Sequence, residues 1–175
     1  MASNAKHYII TAISLGVIAA ASAGLIGVVN LITRDQIKKN EEKKFNDGIT
    51  AIFGENKTTS LFVNATNSGT VSASYFVKNE EQSTIGWAIR TDGSNMYGKI
   101  SMLVGFEYEH KDFIGIYVIT NEQSYASTLV ENYIDPLNGK EIQLDDVSCG
   151  ATYGAKLVRE MINDAQTFVD GIIYD

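Results

Sequence analysis

The pattern of apolar and polar residues changes sharply near position 33. Residues 8–33 form a run of 26 residues without a charge, and most of their side chains are apolar. A helix rises about 1.5 Å per residue, so this run exceeds the roughly 30 Å hydrocarbon core of a membrane. The pattern predicts an N-terminal segment with a single transmembrane helix over residues 1–33.

A cleaved signal peptide is the alternative interpretation of this segment. Lys6 and His7 resemble a weak basic start, and Ala21-Ser22-Ala23 resembles a cleavage site. The apolar run continues well past that site, however, as far as Ile32. Its length therefore favours a retained membrane anchor.

Small residues recur along one side of the predicted membrane helix. Gly16, Ala20 and Gly24 follow each other at intervals of four, and Ala23 and Gly27 form a second pair. Such spacing lets two membrane helices approach closely. Glycine and alanine are also generally tolerated in membrane helices, so the alternative is that the stripe has no partner.

The next segment, residues 34–54, is predicted to be a helical stalk. Sparse apolar positions continue the helical pattern, Gly54 is a plausible C-terminal stop, and Gly48 locally weakens the prediction. Residues 54–60 are polar and are predicted to form a turn at the start of a domain over residues 55–175.

The domain is predicted to be α+β with an antiparallel sheet and flanking helices. Four runs rich in β-branched and aromatic residues are separated by short polar turns, and they cover residues 71–78, 85–91, 99–107 and 113–120. Connections this short suit antiparallel pairing. A short helix over residues 122–133 and a turn over residues 135–139 are predicted next.

An amphipathic helix is predicted near the C-terminus. Its apolar positions recur at steps of three and four residues, which is the period of one helix face. These positions are Ala155, Val158, Ile162, Ala165, Val169 and Ile172.

Charge and cysteine content exclude several classes of function. The chain has 21 acidic and 14 basic residues, a formal net charge of −7, and every acidic residue follows Arg34. Such a domain repels nucleic acid. The single cysteine, Cys149, excludes an internal disulfide and a cysteine-ligated cluster or zinc built within this chain. His110 is predicted to lie in a solvated loop, and no metal site is expected.

The segment before the last helix carries the strongest candidate chemistry. Residues 146–152 read D-V-S-C-G-A-T. Small residues allow close approach of a ligand, and a helix N-terminus offers free N–H groups to a phosphate. Thr152 adds a hydroxyl, and Lys156 lies one turn later on the same face. The alternative is an ordinary helix start capped by a threonine.

The longer pattern D-x-x-(S/T)-G-A-(T/S) resembles the flavinylation motif of the FMN-binding domain in RnfG and NqrC, subunits of the Rnf and Na⁺-pumping quinone reductase complexes. Upstream segments resemble the same family. Gly86-Trp87-Ala88 is similar to its G-Y-A strand, and Tyr97-Gly98-Lys99-Ile100 with Leu103-Val104-Gly105 is similar to its Y-x-G-x-I and L-V-G segments. The short chain is more similar to RnfG.

The resemblance implies a covalently bound FMN. Thr152 corresponds to the residue that carries FMN through a phosphoester bond, installed by a dedicated flavin transferase. Gly150 and Ala151 correspond to the close-approach residues, and Asp146 to the acidic start of the motif. Cys149 stands where the family usually has serine or threonine.

A second family segment, H-x-E-T-P-G-L-G, is altered in this chain. Only Glu122 remains of it, so the loop that frames the flavin is expected to be rebuilt, with Tyr125 offering a flat surface. Tyr97 is placed near the site by the Y-x-G resemblance. The other aromatic residues in the β-like runs are predicted to serve core packing, and they are Trp87, Phe106 and Tyr108.

The implied function is that of a membrane-anchored electron-transfer flavoprotein, a subunit of an Rnf-type ion-translocating complex rather than a complete enzyme. Its partners would be other integral membrane subunits and the flavin transferase. The resemblance also places the domain outside the cytoplasm, although more basic residues follow the membrane segment than precede it. A stand-alone extracytoplasmic flavin shuttle and a membrane-anchored scaffold protein without flavin remain as alternatives.

Overall fold

The computed structural model describes residues 2–63, 69–138 and 150–172. The helices are α1 (Ala2–Phe53), α2 (Ala126–Leu129), α3 (Asp135–Leu137) and α4 (Thr152–Asp170), and a π-helical turn (Val130–Ile134) joins α2 to α3. The strands are β1 (Thr58–Val63), β2 (Val71–Lys78), β3 (Thr84–Asn95), β4 (Gly98–Glu107) and β5 (Phe113–Asn121). Two compact units, Met1–Lys43 and Lys44–Asp175, divide within α1.

The first unit is the apolar part of α1. Within the described residues, α1 from Ile10 onward is the one helix whose length and composition suit a membrane crossing. Two of its hydroxyl side chains bond back to the helix: Ser14 Oγ donates to the Ile10 carbonyl at 2.9 Å, and Thr33 Oγ1 donates to the Val29 carbonyl at 2.7 Å. These bonds leave neither hydroxyl unsatisfied in an apolar environment.

The second unit is built on an antiparallel sheet. Within the described residues, five strands follow each other in chain order from β1 to β5. Each neighbouring pair is antiparallel, and the central pair β3–β4 runs in continuous register from Gly86 opposite Glu107 to Asn95 opposite Gly98. The α+β architecture with an N-terminal apolar helix confirms the predicted fold class.

Helices pack on both faces of the sheet, which explains why the central strands are buried almost continuously. The face toward α4 carries the larger core, in which Trp87 and Phe106 are 1% and 0% exposed. Five of the six predicted stripe positions of α4 are buried against it, and Ile172 packs at its edge. The opposite face carries a smaller core around Ala88 and Leu103.

The end of α1 covers this smaller core. Ile49 is buried there with Phe45, Ile52 and Phe53 packed around it, and Lys44 Nζ donates to the Ile119 carbonyl at 2.8 Å. Gly48 permits the contact, because a Cβ at this position would lie 2.8 Å from both Leu103 Cδ1 and Tyr117 Cδ1. Gly48 has a low intrinsic helix propensity, but its missing side chain lets α1 approach the sheet. The helix ends at Phe53, and Gly54 follows with a φ of +87°.

Three local predictions need correction. Residues 58–60, predicted to be part of a turn, begin strand β1, because this strand lies at the sheet edge and its backbone pairs with β2 along one side only. The helix predicted from residue 122 starts at Ala126, because the Glu122 N–H still bonds the Lys99 carbonyl at 2.8 Å. The predicted turn at residue 135 is the single helical turn α3, with proline at its start.

Candidate functional site

Thr152 is the first residue of α4. Ala151 stands at the N-cap position and makes no side-chain capping bond, while its carbonyl accepts from the Ala155 N–H at 2.9 Å to open the helix. Thr152 is therefore not the N-cap residue of α4, which the alternative interpretation of this segment as an ordinary threonine-capped helix start requires. Its side chain is exposed, and no described residue forms a side-chain hydrogen bond with it.

Gly150 sets the direction in which the chain enters α4. Its φ is +77°, a left-handed conformation that side-chain-bearing residues rarely adopt. A Cβ on Gly150 would lie 3.4 Å from Thr128 Cγ2, so the glycine also lies close to α2. One turn into α4, a Cβ on Gly154 would lie 2.8 Å from Leu129 Cδ2. The missing side chain of Gly154 therefore lets the start of α4 lie close to α2.

A cavity of about 240 Å³ opens at this helix start. Among its described lining residues none is charged, and three are tyrosines. The lining consists of Tyr97, Gln123, Tyr125, Leu129, Gly150, Ala151, Thr152, Tyr153 and Gly154. The rings of Tyr97 and Tyr153 pack at 5.2 Å between centroids with an interplanar angle of 35°. Tyr125 and Tyr153 are 62% and 58% exposed, so flat aromatic surface remains accessible at the cavity.

Asn95 joins the three segments that surround this cavity. Its Nδ2 donates to the Tyr153 carbonyl at 3.1 Å, and its Oδ1 accepts from the Tyr97 N–H at 2.8 Å and from Gln123 Nε2 at 3.0 Å. The Ser124 N–H adds a bond to the Tyr97 carbonyl at 3.1 Å. The β3–β4 hairpin, the loop after β5 and the start of α4 are therefore held together by one polar network.

The predicted site residues fall into three groups. Tyr97, Gly150, Ala151 and Thr152 line the same cavity although more than fifty residues separate the first from the others. Tyr125, expected to offer a flat surface, also lines it. Their roles as cofactor contacts stay predictions.

Glu122 and Lys156 lie outside the cavity lining. Glu122 is exposed, and its carbonyl lies against Gly98, so the loop passes close to the hairpin while its neighbour Gln123 reaches the cavity. Lys156 is exposed on the face of Thr152 and borders a separate shallow depression with Arg159 and Glu160. Asp146 and Cys149 lie outside the described residues.

Sequence reasoning missed Gln123 and Tyr153. Tyr153 directly follows Thr152, the predicted acceptor, and an aromatic residue at a helix start next to a candidate ligand site was a usable signal. Gln123 carried no such signal. Glutamine residues are mostly exposed, and this one lies in the loop where the family segment H-x-E-T-P-G-L-G is altered. Only the fold brings it to the cavity.

The other aromatic residues serve packing, as predicted. Trp87 and Phe106 are buried in the core on the α4 side, and Tyr108 stacks on Trp87 at 5.8 Å with an interplanar angle of 21°. None of the three lines the cavity at the start of α4.

His110 lies in an exposed turn, as predicted. Its backbone N–H donates to Glu107 Oε2 at 2.6 Å, and its Nδ1 lies 3.2 Å from the same oxygen. The backbone bond from His110 is the main cause that lowers the pKa of Glu107. Ligand-type atoms of Glu107, Glu109 and His110 lie within 4.8 Å of one another, but the Glu107 carboxylate is already engaged by its own turn.

The first 50 residues match the family model of the RnfG N-terminal region. This chain is RnfG-like. The match supports an RnfG-like subunit of an Rnf-type complex, and the single apolar helix fits a membrane anchor for it. A comparison of the RnfG-like chain with curated proteins gave no match.

Proposed function

We propose that this RnfG-like subunit carries FMN on Thr152 through a phosphoester bond and passes electrons within its complex. The bound flavin supplies the electron-transfer chemistry, and the protein holds and shields it. The observation that carries the proposal is the position of the Thr152 hydroxyl, exposed on the first residue of α4 and at the edge of a cavity whose described lining is uncharged and includes three tyrosines.

The residues at the cavity fit this group. A flavin ring is flat and uncharged in its oxidised form, and the tyrosine faces suit it, as do the other described lining residues, which carry no charge. The volume of about 240 Å³ lies just below the roughly 300–1,000 Å³ usual for small-molecule sites. A cavity of this size would enclose part of the ring system and would leave the remainder accessible to a redox partner.

The helix start suits the phosphate but cannot retain it alone. The free N–H groups of the first turn and Lys156 on the same face each offset phosphate charge by about 0.3–1 kcal/mol at an exposed position. Such a contribution positions a phosphate without holding the cofactor. A covalent bond at Thr152 supplies the retention, which suits a domain from which a released flavin would be lost.

Two separate parts of the chain support the same family. The family match covers residues 1–50, whereas the flavinylation motif lies at residues 146–152. The two segments do not overlap, so a chance similarity in one of them would not explain the similarity in the other. The match also favours assembly with other integral membrane subunits over the stand-alone shuttle. In this proposal the flavin transferase matures the domain on the extracytoplasmic side, with α1 as its anchor.

Peptide mapping of the native protein tests the proposal. Protease digestion of the intact chain isolated from its native membrane should yield one flavin-bearing peptide that contains Thr152, with the added mass of FMN less one water. A native chain of unmodified mass, without flavin absorption near 450 nm, would instead support the scaffold protein without flavin.

The anchor gives a first prediction. Because residues 8–33 are uncharged and long enough to span a bilayer, the mature protein is expected to keep this segment and to stay in the membrane pellet during carbonate extraction. N-terminal sequencing and fractionation check this. A soluble mature chain that begins near Gly24 would contradict the anchor and favour a signal peptide.

The small residues of α1 give a second prediction. A Cβ at Gly16 or Gly24 would have nothing within 4 Å, so leucine at either position fits the isolated chain. If this side of α1 packs against another membrane helix, Gly16→Leu or Gly24→Leu should reduce co-purification of partner subunits without changing flavin content. A matched control is Leu15→Ile on the same exposed helix. Equal recovery of partners in all variants would count against a packing face.

A further inference from the structure

Gln123 is a buried polar residue whose position calls for an explanation. Its exposure is 7%, and among the described residues the other buried polar side chains are Ser74, Thr91 and Ser101. Of these four, Gln123 is the one that lines the cavity beside Thr152. Burying an amide costs free energy unless its polar atoms find partners, either in the protein or in the cavity that the residue lines.

The amide nitrogen of Gln123 is fully used. Its Nε2 donates to Asn95 Oδ1 at 3.0 Å and to the Gly98 carbonyl oxygen. A backbone carbonyl only accepts, so the nitrogen has to face Gly98 and the orientation of the amide is determined. The carbonyl oxygen, Oε1, is the remaining polar atom, and no described residue donates a hydrogen bond to it.

The segment that carries Gln123 is fixed on both sides. The Gln123 N–H donates to Asn121 Oδ1 at 3.1 Å, the Glu122 N–H to the Lys99 carbonyl at 2.8 Å, and the Ser124 N–H to the Tyr97 carbonyl at 3.1 Å. The amide is thus a preorganised acceptor that loses little conformational entropy when a donor binds.

We propose that Gln123 Oε1 accepts a hydrogen bond from the imide N–H of the isoalloxazine ring. This N–H is the donor of the oxidised ring, and the flanking ring carbonyls accept. Gln123 would then be a positioning residue that orients the pyrimidine end of the ring, while Thr152 would hold the phosphate end. The inference rests on the proposed function, because it requires the cavity to hold the flavin.

Ligand methylation gives a test that leaves the protein intact. The full-length Thr152→Ala chain in detergent, which lacks the acceptor hydroxyl, is titrated with riboflavin and with 3-methylriboflavin, and binding is followed by flavin fluorescence. A neutral hydrogen bond contributes about 0.5–1.5 kcal/mol, so riboflavin should bind about 3- to 10-fold more tightly than its methylated form. In a Thr152→Ala/Gln123→Met chain the two flavins should bind within about 2-fold of each other.

The comparison separates a hydrogen bond from a steric effect. Equal affinity of the two flavins for the chain that keeps Gln123 would overturn the inference, and so would a preference that persists with methionine. If the methionine variant does not fold, riboflavin labelled with ¹⁵N at the imide decides by NMR. A slowly exchanging imide proton in the chain that keeps Gln123 supports the hydrogen bond, and a proton in fast exchange with water overturns it.

The test also separates this inference from the proposed function. If neither flavin binds the Thr152→Ala chain, the role of Gln123 is rejected, whereas a flavin peptide that contains Thr152 in the native protein would still establish the attachment. If the native peptide carries no flavin while riboflavin binds with the expected preference, the attachment at Thr152 is rejected and the ring site stands.

Discussion

Thr152→Ala is expected to abolish covalent flavin completely. The substitution removes the hydroxyl that forms the phosphoester bond and leaves the helix start intact, because alanine is the best helix former and the Thr152 side chain is exposed. The protein, produced together with a flavin transferase, is separated on a denaturing gel. In-gel fluorescence should fall to background in the Thr152→Ala band while the amount of protein is unchanged.

Matched variants show whether the loss is specific to the attachment. Thr152→Ser keeps a hydroxyl and should keep the flavin, and Thr167→Ala removes an exposed hydroxyl elsewhere on α4 and should have no effect. Asp146→Ala should impair installation, whereas Cys149→Ser should preserve it, since the resembling family usually has serine or threonine there. Undiminished fluorescence in Thr152→Ala, or a flavin peptide from another segment, would reject the assignment.

Much of the sheet was predictable from the sequence because four of its strands carry dense β-branched and aromatic residues. β2 has the predicted bounds, and β3, β4 and β5 extend the predicted runs by one to four residues at their ends. β1 was missed because half of it is polar. An edge strand is stabilised by backbone pairing with one neighbour, and its exposed side chains carry no alternating pattern to detect.

The candidate site was predictable only in part, for a related reason. Thr152, Gly150 and Ala151 are consecutive, so a local motif is enough to find them. Gln123 reaches the same cavity through the pairing of β4 with β5 and the hydrogen bonds of Asn95, which no local pattern encodes. For Lys156 the local pattern was misleading. Its helical spacing correctly places it on the same face of α4 as Thr152, yet it does not line the cavity beside Thr152.

Gly86→Ala is expected to destabilise the domain by loosening the end of α1 from the sheet. A Cβ on Gly86 would lie 2.7 Å from the Phe106 carbonyl oxygen and would overlap the ring of Phe53. The backbone oxygen can shift only by distorting the β3–β4 ladder, and the ring of Phe53 has to leave its position as well. Overpacking of this kind costs about 1–3 kcal/mol. The midpoint of thermal unfolding, followed by circular dichroism of the full chain in detergent, should fall by roughly 5–10 °C.

Gly171→Ala is the matched control for this prediction. Gly171 follows α4 with a φ of −73°, and a Cβ there would make only ordinary contacts, 3.4 Å to the Thr167 carbonyl oxygen and 3.5 Å to that of Phe168. The same added methyl group should therefore change stability by less than about 0.5 kcal/mol. The contact that Gly86→Ala disturbs is the one between the end of α1, which lies in the same compact unit as the sheet, and the smaller core. An unfolding midpoint for Gly86→Ala equal to that of Gly171→Ala would show that Phe53 and its contact with the sheet contribute little to the stability of the domain.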